Sequence, residues 1–298
     1  MIASSQTTAV ALPERMTRLR ARRAAIWAAV KLGWAIEANW TDPFVFMIYQ
    51  VVRPLFGAGI LIVMFTVVTG KPANDPSMAQ LFIGQAFFFM VLLSLENTGT
   101  IVFFDRERFQ MIRYVYLAPI GFGWYMAARG LSQVIALMTA VVVTLTFGIL
   151  IMGMPLSITP AEVPHLLLLL FLGGIATLAL GVLLASITLT TAFHGLSIPD
   201  GVGGVLFLVS GAVFSFDILP GWVNSISRVL PWTYWLEGIR RIIVDRPFIA
   251  SLQGLSDTDV MLMLVYGTVG AVAAAWATLR ICTHAAISSG GLDMKTDH

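Results

Sequence analysis

The residues of this chain that could do chemistry are most concentrated in a short charged segment, 105–113. It holds two acids and three arginines, which are Asp105, Arg106, Glu107, Arg108 and Arg113. Paired carboxyl groups could serve acid–base catalysis, but these residue types are better suited to forming salt bridges with another protein. Phe109, Ile112 and Tyr116 recur at helical spacing. The stretch 105–116 is therefore predicted to be a short amphipathic helix that contacts a partner.

Signatures of catalysis, metal binding and nucleotide binding are missing from the sequence. It has no zinc-protease HExxH pattern, no GxSxG elbow and no Walker A loop. The single cysteine, Cys282, and four scattered histidines form no metal-ligand pattern. We therefore expect no catalytic residue, no metal site and no directly bound cofactor.

The composition indicates which elements position the charged segment. The 298 residues are 58% hydrophobic and 11% charged, with a mean hydropathy of +0.86. A soluble domain would carry roughly 25% charged residues. The fold class predicted is an all-α membrane protein, and the net charge of +2 is too small to indicate nucleic-acid binding.

Six apolar runs are predicted to cross the bilayer as helices, for which about 20 residues are needed. The predicted spans are 44–69, 78–103, 125–153, 165–193, 199–216 and 260–281. They form one transmembrane domain, 42–281, whose termini lie on one side. Because the basic residues are most numerous at the amino terminus and in 105–113, that side is predicted to be the cytoplasm.

The segments outside the transmembrane domain are short. Residues 1–13 are small and polar and are predicted to be a disordered lead. Residues 14–41 carry apolar and aromatic residues on one stripe and arginines around the other face, which indicates an interfacial helix on the cytoplasmic leaflet. A basic tail that only fixes topology is the other reading of this stretch. Residues 282–298 are predicted to be a cytoplasmic tail.

Two ionisable residues are predicted to lie inside the spans. Arg53 would sit about 13 Å deep in the first span, and Glu96 would lie in the cytoplasmic half of the second. A buried arginine in lipid needs a partner, a wet cavity or a path to the headgroups. Glu96 is the candidate partner, and snorkelling of Arg53 to the headgroups is the alternative.

The stretch 217–257 combines prolines, aromatics and charges but is not apolar enough to span. Its candidate functional residues are Pro220, Trp222, Pro231, Trp232, Tyr234, Glu237 and Arg240. We expect two short helices that enter the outer leaflet and return, with the prolines at their starts or breaks.

Taken in order, these features resemble the permease subunit of a type-2 ABC exporter. The resemblance rests on Asp-Arg-Glu-Arg closing on Leu-Ala-Pro between spans two and three, and on Leu-Pro-Gly-Trp followed by Leu-Pro-Trp-Thr-Tyr-Trp-Leu-Glu-Gly-Ile-Arg before the last span. It covers about Trp27 to Ile281 and is nearest to daunorubicin-resistance and nodulation-factor export permeases. Phe109 and Ala118 depart from the family's usual glycine and Ser or Thr, which favours a distinctive ATPase partner.

The resemblance implies a function and partners. The segment 105–116 would be the coupling helix docking on a cytoplasmic ABC ATPase, of which two copies, with their ATP and Mg²⁺, would power a pair of identical or paralogous permeases. The residues of 217–257 would shape the outer gate. The complex would export a drug, a lipid or a lipid-linked glycan across a bacterial-type inner membrane, with both termini cytoplasmic.

Two other classes of protein remain open from the residues alone. A membrane enzyme acting on lipid-linked substrates would need a catalytic cluster at one membrane face. An ATP-independent carrier would show internal repeats or paired broken helices, and no convincing repeat relates 44–153 to 164–281.

Overall fold

A computed structural model describes residues 14–38, 43–118, 120–156, 158–190 and 197–288. In these ranges the chain is helical and contains no strand. The helices are α1 (Glu14–Ala38), α2 (Pro43–Thr69), α3 (Pro76–Gly99), α4 (Ile101–Glu107), α5 (Ile112–Leu117), α6 (Phe122–Leu150), α7 (Val163–Thr188), α8 (Ser197–Val209), α9 (Gly221–Ser227), α10 (Pro231–Val244) and α11 (Asp257–Ser288).

Five helical stretches of the described chain are long and apolar enough to cross a membrane. They are Val52–Thr69, Pro76–Glu107, Phe122–Leu150, Val163–Thr188 and Asp257–Ser288. These stretches overlap the first four predicted spans and the sixth, with different boundaries. The all-α membrane fold class is confirmed.

The fifth predicted span, 199–216, is shorter than expected. Helix α8 has 13 residues, which is about 20 Å against a hydrocarbon core of about 30 Å. It ends because Gly211 adopts a left-handed φ of 76° just after the helix, a backbone conformation that glycine reaches without strain. Pro199 packs on Gly99, and the Ala212 carbonyl lies beside Gly84. Residues 199–212 therefore still follow α3 along most of its length.

Helix α3 lies at the centre of the helix bundle. It packs against α2, α6, α7, α8 and α10, and Phe82, Phe88 and Leu95 are fully buried along it. Its amino-terminal end is capped by Asp75, whose carboxylate accepts a hydrogen bond from the Ser77 N–H at 2.8 Å. That hydrogen bond lowers the pKa of the Asp75 carboxyl below its usual range.

Helix α1 packs along the first half of α6. Ala29 is buried, and Gly33 lies directly against Ser132 and the Arg129 backbone of α6. Arg22 stacks over the ring of Trp124 at 5.4 Å. The opposite face of α1 is exposed, and its exposed side chains include Arg20, Arg23, Trp27, Lys31 and Trp34. The helix thus has one face for the bundle and one for its surroundings.

Candidate functional site

The charged segment folds as two short helices and not as one helix over 105–116. Helix α4 continues the second span to Glu107, and α5 starts at Ile112 after a turn. Gln110 adopts a left-handed φ of 51° in that turn, which is costly for a residue with a side chain. The Met111 N–H donates to the Asp105 carbonyl at 2.9 Å and closes the turn. Spacing alone missed this break because apolar residues keep a helical interval across it.

Asp105 is turned into the protein. Its side chain is 2% exposed, and its carboxylate accepts a hydrogen bond from the Tyr125 hydroxyl at 2.7 Å. The other carboxylate oxygen pairs with Nη1 of Arg129, which also donates to the Tyr125 hydroxyl at 3.0 Å. We call Asp105, Tyr125 and Arg129 the inner anchor. It ties the end of the second span to the start of the third.

Arg106 is also buried, with its side chain 5% exposed. Its Nε donates to Glu107 Oε1 at 3.1 Å, while its Nη2 is buried with no hydrogen-bond partner among the described residues. Glu107 is half-buried. Asp105 and Arg106 therefore face inward, whereas the sequence predicts that they contact a partner.

The side chains that do face outward from this segment are mainly aromatic, apolar or cationic. We call them the exposed turn surface: Arg108, Phe109, Gln110, Tyr114 and Leu117. Tyr114 is 74% exposed and Leu117 is 84% exposed. The predicted site residue Arg113 has its side chain outside the described part of the structure. An exposed cation among aromatics has the composition of a protein-binding surface.

Arg53 and Glu96 lie next to each other, as the sequence had suggested. Arg53 Nη2 is 3.9 Å from Glu96 Oε2, and the two side chains are 43% and 41% exposed. The Arg53 guanidinium also lies 5.7 Å from the centroid of the Phe89 ring. The ion pair joins α2 to α3, while its exposure leaves it open to further partners.

The stretch predicted to shape the outer gate, 217–257, forms a helical hairpin that inserts between the long helices. The two predicted prolines start its helices: Pro220 precedes α9 and Pro231 is the first residue of α10. The Tyr234 hydroxyl donates to the Arg228 carbonyl at 2.7 Å, which fixes the turn between the helices. Trp222 on α9 is 71% exposed.

The first turn of α10 lies deepest in the bundle. Trp232 Nε1 donates to Thr177 Oγ1 at 3.1 Å, and Trp235 fills the space beside Gly173. Gly173 lies about ten residues, or about 15 Å, into α7. Pro231 contacts Gly267 at a similar depth in α11. Helix α10 therefore starts near the middle of the spans and returns to the end where α7 and α11 begin.

Arg240 joins three parts of the chain. It is fully buried and donates to the Gln80 carbonyl at 3.0 Å and the Gly211 carbonyl at 2.9 Å. Its other terminal nitrogen donates to the Ala212 carbonyl. A Cβ on Gly84 would lie 1.9 Å from the Ala212 oxygen and 2.0 Å from Arg240 Nη2. We call this contact set the outer clasp, and it holds α10 to α3 and to the end of α8.

Glu237 is the second buried charge of α10. It is 0% exposed and accepts hydrogen bonds from the Phe248 N–H at 3.2 Å and the Ile249 N–H at 3.3 Å. It also pairs with Arg241 at 3.3 Å. Glu237 and Arg240 are thus internal structural groups in this conformation, and Trp222 is the predicted outer residue with a large exposed side chain.

Sequence reasoning missed the partners that make these sites. Tyr125 and Arg129 complete the inner anchor, and Gly84 and Gln80 complete the outer clasp. Arg129 carried a signal that could have been used, since an arginine inside an apolar run calls for an acidic partner. Backbone carbonyl partners such as those of Gly211 and Ala212 leave no sequence signal.

A family model described as ABC-2 type transporter matches residues 25–244, a range that runs from α1 through α10 and includes the exposed turn surface and the hairpin. No curated protein matches the chain. Because the matched range covers most of the chain and both sites lie inside it, this protein belongs to the ABC-2 type transporter family, as a multi-pass transport subunit of an ABC transporter.

Proposed function

We propose that this chain is the permease of an ATP-driven exporter. It would move a hydrophobic or amphiphilic substrate, such as a drug, a lipid or a lipid-linked glycan, out of the cytoplasm or inner leaflet. Members of the family generally pair with an ATPase subunit. Two ATPase copies carrying ATP and Mg²⁺ would drive two permeases, identical or paralogous, in a bacterial-type inner membrane.

The exposed turn surface is the observation that carries this proposal. It follows directly from the second span, and its base is held to the third span by the inner anchor. A force applied to the turn would therefore reach two spans through a short, buried ionic contact. A rigid connection of this kind is suited to passing a conformational change from one subunit to another. Each nucleotide state of the ATPase would favour one of two arrangements of the permease.

Charge distribution supports a cytoplasmic position for this surface. Arg22 of α1 stacks over Trp124, which follows the turn, and Leu279 of α11 packs on Gly123. The exposed arginines of α1, Arg280 and Arg108 therefore belong to one end of the molecule, and an excess of basic residues marks the cytoplasmic side. Both termini would then be cytoplasmic.

The proposal is tested by purifying the full chain from its native membranes in mild detergent and identifying what accompanies it. We expect a P-loop ATPase to co-purify, and we expect Arg108→Glu combined with Tyr114→Ala to reduce its recovery at least tenfold. The control is Lys71→Glu, an exposed charge in the loop between α2 and α3. Purification of the unaltered chain without any ATPase would overturn the proposal.

A further inference from the structure

A second candidate site lies between the ends of three helices, away from the turn surface. It is a cavity of about 380 Å³ bounded by the first turns of α7 and α11 and the last turns of α10. Ligand sites usually have volumes of 300–1,000 Å³. Its floor is apolar and closed, because Leu169 and Val260 are buried and Leu169 packs directly on Gly238.

The walls of the cavity are held by hydrogen bonds that leave several of its polar side chains unused. Gln80 donates to the Arg246 and Pro247 carbonyls at 3.1 and 3.2 Å. Arg241 is held by the Leu252 carbonyl at 2.6 Å and the Leu255 carbonyl at 2.8 Å. The backbone of the rim is therefore preorganised before any ligand arrives.

Four polar side chains of the rim make no hydrogen bond or ion pair with the described residues: His165, Asp245, Arg246 and Gln253. Glu162, also on the rim, uses one carboxylate oxygen to accept the Thr159 N–H at 2.9 Å. Arg241 is already neutralised by Glu237 and Asp257. Because one arginine is set against two carboxylates, the Arg241 group keeps one net negative charge. The charged groups of the rim that have no ion-pair partner among the described residues are Glu162, Asp245 and Arg246.

Further along the chain from this polar cavity, α7 and α11 carry exposed apolar side chains. Leu167 and Phe171 on α7 are 60% and 64% exposed, and Tyr266 and Val269 on α11 are 69% and 61% exposed. Both stretches belong to helices that can cross a membrane. The cavity therefore lies at the ends of two helices whose exposed surface suits a hydrocarbon environment, where the polar end of an amphiphile would lie.

We propose that this cavity binds the headgroup of a zwitterionic amphiphile that carries both an ammonium and a phosphate group. The ammonium lies against Glu162 and Asp245, and the phosphate lies against Arg246. Carboxylates accept hydrogen bonds from a primary ammonium, whereas a quaternary ammonium has no N–H to donate. The site therefore prefers an ethanolamine phosphate headgroup to a choline phosphate headgroup. If the bound amphiphile is the substrate, this proposal rests on the proposed outward transport. If it is a resident lipid, the proposal does not depend on transport.

The test is isothermal titration calorimetry, in which short-chain phosphatidylethanolamine is added to the purified full-length chain in detergent. We expect it to bind at least tenfold more tightly than phosphatidylcholine or phosphatidylglycerol of the same chain length. Asp245→Asn should weaken phosphatidylethanolamine binding about tenfold and reduce the preference over phosphatidylcholine. Arg246→Gln should weaken the binding of both.

The variants are chosen to leave the fold intact. Asp245 has a left-handed φ of 55°, which asparagine tolerates well. The matched control for Arg246→Gln is Lys71→Gln, an exposed cation outside the cavity, and it should bind as the unaltered chain does. Equal binding of the two zwitterionic lipids, or unchanged binding by Asp245→Asn, would overturn the proposal.

A transport assay distinguishes the two sources of such an amphiphile. ATP-dependent movement of tail-labelled phosphatidylethanolamine in vesicles containing the full complex would identify it as cargo, and intact binding without movement would identify a resident lipid. Because binding is measured on the permease alone, absence of an ATPase partner would defeat the proposed function without affecting this site.

Discussion

At the scale of single residues, the chain uses its few buried charges to fix positions. Asp105 and Arg129 neutralise each other, and Arg240 is surrounded by backbone carbonyls instead of carboxylates. Removing one member of such a contact leaves a buried group unsatisfied, which costs more than the contact itself contributes. The phenotype of each substitution therefore depends on which group is left behind.

The inner anchor gives the first prediction. Asp105→Ala leaves the Arg129 guanidinium buried without its carboxylate, so we expect a loss of about 3–5 kcal/mol of stability. Asp105→Leu combined with Arg129→Met should recover much of it, because no charge then remains unpaired. Thermal unfolding in detergent measures both, and Asp200→Ala, at an exposed acid, is the control. An unstable double variant would mean that the anchor is not governed by its ion pair.

The outer clasp gives the second prediction. Gly84→Ala puts a methyl group against the Ala212 carbonyl, and neither backbone can move freely, so we expect a cost of about 1–3 kcal/mol. Gly59→Ala in α2 is the matched control, since a Cβ there has nothing within 4 Å. Unfolding temperatures should fall for the first variant only. Equal effects of the two would show that α3 and α8 are not tightly apposed at this point.

At the scale of elements, the hairpin of α9 and α10 is positioned by polar contacts at its deepest turn. Trp232 reaches Thr177 on α7, and Thr233 donates to the Ser227 carbonyl at 2.8 Å. The exposed turn surface lies beyond the opposite end of α3, so in the described part of the structure the two elements are connected through the long helices. Changes in the hairpin and changes in the turn should therefore have separable consequences.

The third prediction concerns the hairpin. Trp232→Ala with Tyr234→Ala should reduce transport severalfold while the ATPase still co-purifies, because these side chains are far from the exposed turn surface. Trp232→Phe keeps most of the volume but removes the hydrogen bond to Thr177, so it tests the contact if the double variant folds poorly. Transport by reconstituted vesicles and co-purification are measured in parallel. Loss of the ATPase would contradict the outer position of the hairpin.

At the scale of the whole molecule, the arrangement is polar at two ends and apolar between them. The basic α1 and the exposed turn surface lie at one end, and the short loop around Asn74 lies at the other end of α3. This separation makes topology directly testable.

The fourth prediction uses single cysteines after Cys282→Ala. Asn74→Cys should react with a membrane-impermeant maleimide in intact cells, whereas Gln110→Cys should react only after permeabilisation. Both positions are exposed, so a difference in labelling reports sidedness and not burial. Labelling of both from the outside would mean that the predicted cytoplasmic orientation is wrong.

Much of the fold was accessible from the sequence because membrane insertion depends on local composition. Runs of apolar residues specify spans whatever they pack against, and prolines such as Pro220 and Pro231 start helices through their own backbone geometry. The charged segment between the second and third spans followed from the same reasoning, which named Glu96 as the candidate partner of Arg53 beside the alternative of snorkelling.

Only the tertiary structure decided which charges are available to a partner. Asp105 and Arg106 look no different in the sequence from Arg108, but Tyr125 and Arg129 enclose the first of them. The end of α8 at Gly211 and the outer clasp likewise depend on backbone groups that are far apart in the chain. The sequence by itself determined the helices and the membrane character, because these depend on local residue type. The assignment of each charge to anchor, clasp or exposed surface was decided by long-range contacts, which no local pattern encodes.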